Sequence, residues 1–345
     1  KGATSTVVSV DIGGGTTDVL IVDKGEPKYL TSFRFAANTI FGDGYSYDSD
    51  SNGFVNKYKD IITNQLETNN LRGLKAVLKS VLDKRVSTDV IAFLFSLASN
   101  KEIKKEKVEI NFAKMLADDN RGKYVVILFY VAIVYHIAKL MKAKGFDMPR
   151  HMTFSGNGSK VLNILSTNDA TLVRLTKIIF EEIYAQSYSI DGLDIIRPAN
   201  SKESTCKGGI ILTPFQSQDY GEIKDMKTIL IGTDNEKFAD VHMTYNDVTE
   251  ADLDSVVDVI KEYIEFTFKL DKKFSFYDNF DVDRSIMNKV KDLCYRDIRT
   301  YLENGLAIKK SEIAQDGADD NLEETLFFYP LVGIINAVVR NIYQM

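Results

Sequence analysis

The sequence predicts an α/β protein: a mixed five-stranded sheet flanked by helices over residues 1–215, then a mostly helical extension over 216–345. Three observations carry this. Residues 7–22, VVSVDIGGGTTDVLIV, read as two apolar strands joined by a glycine-rich turn. After a third strand, helical periodicity fills an insertion at about residues 50–118. Strand character then returns at residues 151–154 and 193–197, with a glycine turn and helices between them.

Taken in order, the first strand runs into Asp11, and Gly13, Gly14, Gly15, Thr16 and Thr17 form the turn. Asp18 opens the second strand. Residues 28–36 alternate as a third, antiparallel strand, and NTIFGDGY at 38–45 reads as a glycine-punctuated loop leading into helix. Tyr58, Ile61, Ile62 and Leu66 recur at helical spacing, as do Leu71, Leu74, Leu78 and Leu82. The lysine-rich KEIKKEK at 101–107 is interrupted by glutamates and reads as a solvated face.

Residues 121–144 predict a long helix that Gly145 stops. Its apolar run, 124–138, is shorter than the ~20 residues a bilayer span needs, so a buried core helix is expected and no membrane partner. Strand 151–154 enters the turn Ser155-Gly156-Asn157-Gly158-Ser159-Lys160 and a helix at 161–165. A helix at 172–184 and a strand at 193–197 follow, then the pair Gly208-Gly209. In the extension, strands are expected at 227–232 and 241–244, and Thr249 caps a helix over 253–269. Two more helices, 282–302 ending near Gly305 and 322–343, complete the chain, with Pro330 kinking or dividing the last.

With 44% hydrophobic and 27% charged residues over 345 positions, the composition is that of a globular protein. The 43 basic and 49 acidic residues give a net charge of −6 with no basic stripe, which disfavours nucleic acid. Cys206 and Cys294 lie far apart without CxxC spacing, which argues against a disulfide scaffold or structural zinc and fits a reducing, cytoplasmic setting. His136, His151 and His242 lack ligand spacing and read as structural. The chain enters a core strand almost at once, which is expected of a piece of a longer protein.

The first turn has the chemistry of an anion site. Successive glycines allow positive φ and close backbone approach. Consecutive amides form a concave nest for anions, and threonine hydroxyls add donors. Asp11 would repel a phosphate, so its presence there calls for a hard divalent cation between them, most simply Mg²⁺. A hairpin without any ligand would explain glycine content alone, but DIGGGTTD is far more specific than a single GxG. At the second turn, strand, glycines and helix again suit a nucleotide. A dinucleotide fingerprint would need glycine where Val161 stands, and no GxxxxGK occurs, so Rossmann and P-loop readings fail.

DIGGGTTD closely resembles the second phosphate motif of the actin, sugar-kinase and heat-shock-chaperone ATPase superfamily. The resemblance implies a ribonuclease-H-like lobe over 1–215, phosphate contacts from residues 13–17 with Asp18 beside them, and Asp11 acting catalytically through Mg²⁺ and its waters. The segment 155–160 is similar in order and spacing to the superfamily's adenosine motif, although Asn157 separates two glycines that relatives keep contiguous. It implies adenosine contacts from Gly156, Asn157, Gly158, Ser159 and Lys160, with the lysine stem along the adenine. Both turns are then expected on one edge of the lobe, within one nucleotide's length. The superfamily's other phosphate loop, DxG[TS], is absent, so the chain is expected to hold half of an ATP site. Its partner would be the missing N-terminal lobe, with a further protein partner possible through 216–345. The functions implied are an ATPase lobe, a non-catalytic scaffold of the same fold, or a sugar or acid kinase lobe.

Overall fold

The computed structural model describes residues 5–45, 52–189, 192–198, 243–316 and 321–345. Its sheet has the order β3-β2-β1-β4-β5, built from β1 (Val7–Ile12), β2 (Thr17–Asp23), β3 (Glu26–Phe33), β4 (His151–Ser155) and β5 (Asp194–Ile196). β1, β2 and β3 pair antiparallel, whereas β4 runs parallel to β1 and β5 parallel to β4. Alternation in the sequence sets the two faces. Val8, Val10 and Ile12 are wholly buried with Val19 and Ile21, and Val7, Ser9 and Asp11 on the opposite face stay partly exposed.

Between β3 and β4 lie α1 (Ala37–Phe41), α2 (Gly53–Thr68), α3 (Arg72–Asp83), α4 (Ser87–Ser96), α5 (Lys101–Lys105), α6 (Phe112–Ala117) and α7 (Lys123–Ala143). The stretch expected to be a loop from residue 38 is therefore a short helix first. Wholly buried Asn52 explains how it joins the next one. Its Nδ2 donates to the carbonyls of Ile40 and Gly42, while its Oδ1 accepts from the amides of Phe54 and Val55 as the N-cap of α2.

Helix α7 is apolar on all sides, as a helix buried all round must be. It is the one described helix long and apolar enough to cross a membrane, and 94% of its most apolar window is buried inside the protein. Gly145 follows it with φ +76°, as a C-terminal cap. After β4 come α8 (Leu162–Leu165) and α9 (Asp169–Tyr184), then β5.

The C-terminal part comprises α10 (Glu250–Phe274), α11 (Phe276–Phe280), α12 (Met287–Cys294), α13 (Ile298–Asp316) and α14 (Phe328–Asn341). Thr249 and Asp252 form a reciprocal capping box at the start of α10. The helix expected over 282–302 is broken between α12 and α13, where Asp297 takes a left-handed φ of 55°. Gly305 ends nothing: it lies inside α13, where a Cβ would press on the Tyr45 hydroxyl and on Tyr329. Pro330 kinks nothing either, because it falls in the first turn of α14, where a helix amide has no intrahelical acceptor to lose. Gly208-Gly209 and the strand expected at 227–232 lie outside the described residues. Of 241–244, Thr244 forms one isolated antiparallel bridge to Asn321.

An aromatic cage joins β3, α7 and the start of α14. The His136 ring, on α7, stacks on Phe327 at 5.3 Å and meets Phe328 at 4.9 Å and Phe33 of β3 at 5.7 Å. Burial alone pushes the imidazole down to about 3, so it is neutral in the fold. At the far end, Asp119 accepts from Lys57 Nζ at 2.8 Å, from Tyr58 Oη at 3.0 Å and from Tyr343 Oη, tying the chain's last residues to α2.

The cage generates a pH prediction. Between the unfolded value near 6.5 and the folded value of about 3, the unfolded chain carries one extra proton at His136, so stability falls as pH falls. One proton corresponds to about 1.4 kcal/mol per pH unit. Denaturant melts of wild type and His136→Phe between pH 6 and 4 should show a shallower loss in the variant by that slope. Parallel slopes would refute the cage's role.

Candidate functional site

Because β1 and β4 are parallel neighbours, the turns that follow them leave the sheet at the same edge. The last register pair before both turns is Asp11 opposite Ser155. In the first turn, the Gly13 amide donates to the Thr16 carbonyl at 2.9 Å. The carbonyls of Gly13 and Gly14 then accept from Ala37 and Asn38, the opening residues of α1, at 3.3 and 2.8 Å. Helix α1 thus satisfies its first amides on the turn's oxygens. Among the described residues, the amides of Gly14, Gly15 and Thr16 donate to no other protein group, and all three residues are exposed. Unspent exposed amides in series are what an anion nest requires.

The glycines serve differently from the sequence expectation. None of Gly13, Gly14 or Gly15 has positive φ. A Cβ at Gly15 would meet nothing within 4 Å, and at Gly14 only the Asn38 amide side chain at 3.6 Å. Their bareness leaves room above the backbone rather than easing its bend. The left-handed conformation is found in the second turn, at Gly156 with φ +80°. There a Cβ would overlap the Asp11 carboxylate and the Ile12 carbonyl. At Gly158 it would overlap the Gly13 carbonyl and sit 2.8 Å from that of Ile12. The two turns are in backbone contact.

Not every residue named from the sequence offers a group to a ligand. Thr17 is wholly buried, and its hydroxyl donates to the Phe35 carbonyl at 2.6 Å. The Ser159 hydroxyl donates to the Gly156 carbonyl at 2.7 Å, holding its own turn closed. The helix expected at 161–165 begins as a 3₁₀ turn over Asn157–Val161 and continues as α8. Thr16 is exposed, and Lys160 is exposed without an ion-pair partner among the described residues.

Asp11 and Asp18 face each other across the β1–β2 ladder. They share the sheet face opposite Ile12 and Thr17. Like charges directly opposite are destabilising, and a cation between them reverses the sign. Among the described residues no group of three or more His, Cys, Asp or Glu could hold a metal. A hard ion here would therefore rest on one or two carboxylates plus water and ligand oxygens, which is how Mg²⁺ is commonly held.

On the other side of the first turn opens a cavity of about 670 Å³, within the range of small-molecule sites. Gly14, Asn157, Gly158 and Lys160 line it, so both turns contribute. Its walls come from α1 (Asn38, Phe41), α4 (Ile91, Phe95), α6 (Lys114) with its N-cap Asn111, and α8 (Asn163, Ile164). Asp11 and Asp18 do not line it. Asn38, Asn111 and Asn163 were not singled out from the sequence. Each stands outside any recognisable motif, and only the folding of the helical insertion against α8 brings them to one mouth.

Compared with known proteins, the chain matches no protein-family model and no curated protein.

The contact between the turns can be tested directly. Gly158→Ala should cost more than 2 kcal/mol, because the new methyl meets backbone that cannot swing away. Gly15→Ala should fall within ~0.5 kcal/mol of wild type. Comparable losses in both variants, read by urea unfolding, would refute the apposition.

Proposed function

We propose that this chain is the nucleotide-binding second lobe of an actin-like or chaperone-like ATPase, with a ribonuclease-H-like sheet as its frame. The observation that carries the reading is the backbone contact between the two glycine turns, with three unspent amides on one and a nucleoside-sized cavity beside the other. The strand order 3-2-1-4-5, with β2 alone running against the rest, supports the same frame.

In this reading, the amides of Gly14, Gly15 and Thr16 hold the phosphates of ATP, and the Thr16 hydroxyl adds a donor. Charge-assisted hydrogen bonds of this kind contribute about 1.5–3 kcal/mol each. Asp11, facing Asp18, would hold Mg²⁺ through its waters, and the ion would supply positive charge to offset that of the phosphates. Asn157, Gly158 and Lys160 border the adenosine end. Turnover belongs to a longer parent in which a second lobe closes over the phosphates, because orientation and water exclusion account for much of the barrier. We place that parent in the cytoplasm, on the free, buried Cys294 and the absence of CxxC spacing.

The test is a titration of this chain followed by ³¹P nuclear magnetic resonance. ATP should bind weakly, more tightly with Mg²⁺ than without, and should not be hydrolysed. Asp11→Asn should erase the Mg²⁺ advantage and should not lower metal-free affinity, because it removes a charge that repels the phosphates. Identical Mg²⁺ dependence in both proteins would exclude the role given to Asp11.

A further inference from the structure

Seven large hydrophobic residues in the described structure are notably exposed, and one of them, Phe95, lines the cavity. It sits in the last turn of α4 with 36% of its surface open. Two aromatic contacts hold it. Its ring meets Phe41 at 5.5 Å with an interplanar angle of 80°, and Phe112 at 4.9 Å and 70°. Both contacts are edge-on, so among the described residues no ring lies flat against Phe95. A rigidly positioned aromatic with an unstacked face, on the wall of a cavity, is a platform for a planar ring.

The polar groups around that cavity are equally informative. Asn38, Asn111, Asn157 and Asn163 line it together with Thr88 and Thr167. The two cations are Lys114 and Lys160, and no aspartate or glutamate is among the described lining residues. Lys114 is already paired with Glu109 at 3.0 Å. The Oδ1 atoms of Asn111 and Asn163 accept from the Lys114 amide and from Arg197, so Asn38 and Asn157 are the side-chain amides that can meet the edge of adenine or, after rotation, that of guanine. A carboxylate accepts only and would discriminate.

We infer that the cavity binds the base of a purine nucleoside by stacking on Phe95, and that its amide-lined rim accepts adenine and guanine with similar affinity. The inference rests on the nucleotide reading for its ligand class but not on the phosphate turn or on Mg²⁺. Phe95 is a residue of the helical insertion, so the insertion itself supplies the base contact.

The chain contains no tryptophan. Phe95→Trp therefore places a single indole reporter on the proposed platform, and its larger face should strengthen stacking. Adenosine and guanosine should each quench its fluorescence along a saturable curve, with half-saturation values within about threefold of each other, whereas ribose should not quench. Ligand-observed magnetic resonance on the unaltered protein should show adenosine binding that Phe95→Leu weakens at least fivefold and that Tyr277→Leu, at an exposed aromatic outside the cavity, leaves unchanged. Each of three results would overturn the inference: quenching that rises linearly without saturation, undiminished binding by Phe95→Leu, or no adenosine binding to the unaltered protein. Triphosphate binding at the glycine turn alongside any of these would leave the phosphate half of the site standing. Saturable nucleoside binding without Mg²⁺-dependent ATP binding would do the reverse.

Discussion

The parallel pairing of β1 with β4 is the constraint on which the candidate site depends. Residues 13–16 and 156–161 are separated by more than a hundred positions, yet parallel neighbours must release their chains at the same edge. In open sheets of this kind the crevice beyond the strands' carboxyl ends is where ligands collect. Pairing alone would bring the turns near each other. Two absent Cβ atoms, at Gly156 and Gly158, bring them into contact. One of these glycines is also the residue with the left-handed backbone, so replacing it would add conformational strain to steric overlap.

Around that contact, each neighbouring element does a second job. Helix α1 uses the carbonyls of the first turn to satisfy its leading amides, which leaves the turn's own amides unspent. Thr17 spends its hydroxyl on Phe35, and Phe35 stacks on Phe328 at 4.7 Å. The turn's base is thereby tied to the same aromatic layer that encloses His136. The helical insertion is fastened at Asn52 on one side and at Asp119 on the other, so α4 and α6 present Phe95 and Asn111 from a fixed frame. The site's polar and apolar halves are therefore held by different parts of the core.

Much of this was legible in the sequence where a local rule governs. The hairpin around DIGGGTTD, α7 and the Thr249 cap follow from alternation, an all-apolar helix and a side-chain cap, none of which needs distant residues. The errors arose where tertiary contacts decide. Pro330 looked disruptive because its position relative to the helix start was unknown. Asp297 breaks a helix through a backbone conformation that aspartate adopts without any sequence signature as strong as glycine's. Within the site, Asp11, the glycines and Lys160 were readable as a motif. Asn38, Phe95, Asn111 and Asn163 were not, because helical periodicity explains their surroundings as ordinary amphipathic faces. The structural commitment of Thr17 and Ser159 was equally invisible: a hydroxyl's partner across 18 residues is a property of the fold.

Amide chemical shifts measured while Mg²⁺ and ATP are added test the central claim most directly, because they report each backbone donor separately. If both turns form one ligand site, Gly14, Gly15 and Thr16 should shift together with Asn157, Gly158 and Lys160, and along the same titration curve. Shifts confined to one turn, or clustered elsewhere on the protein, would contradict it.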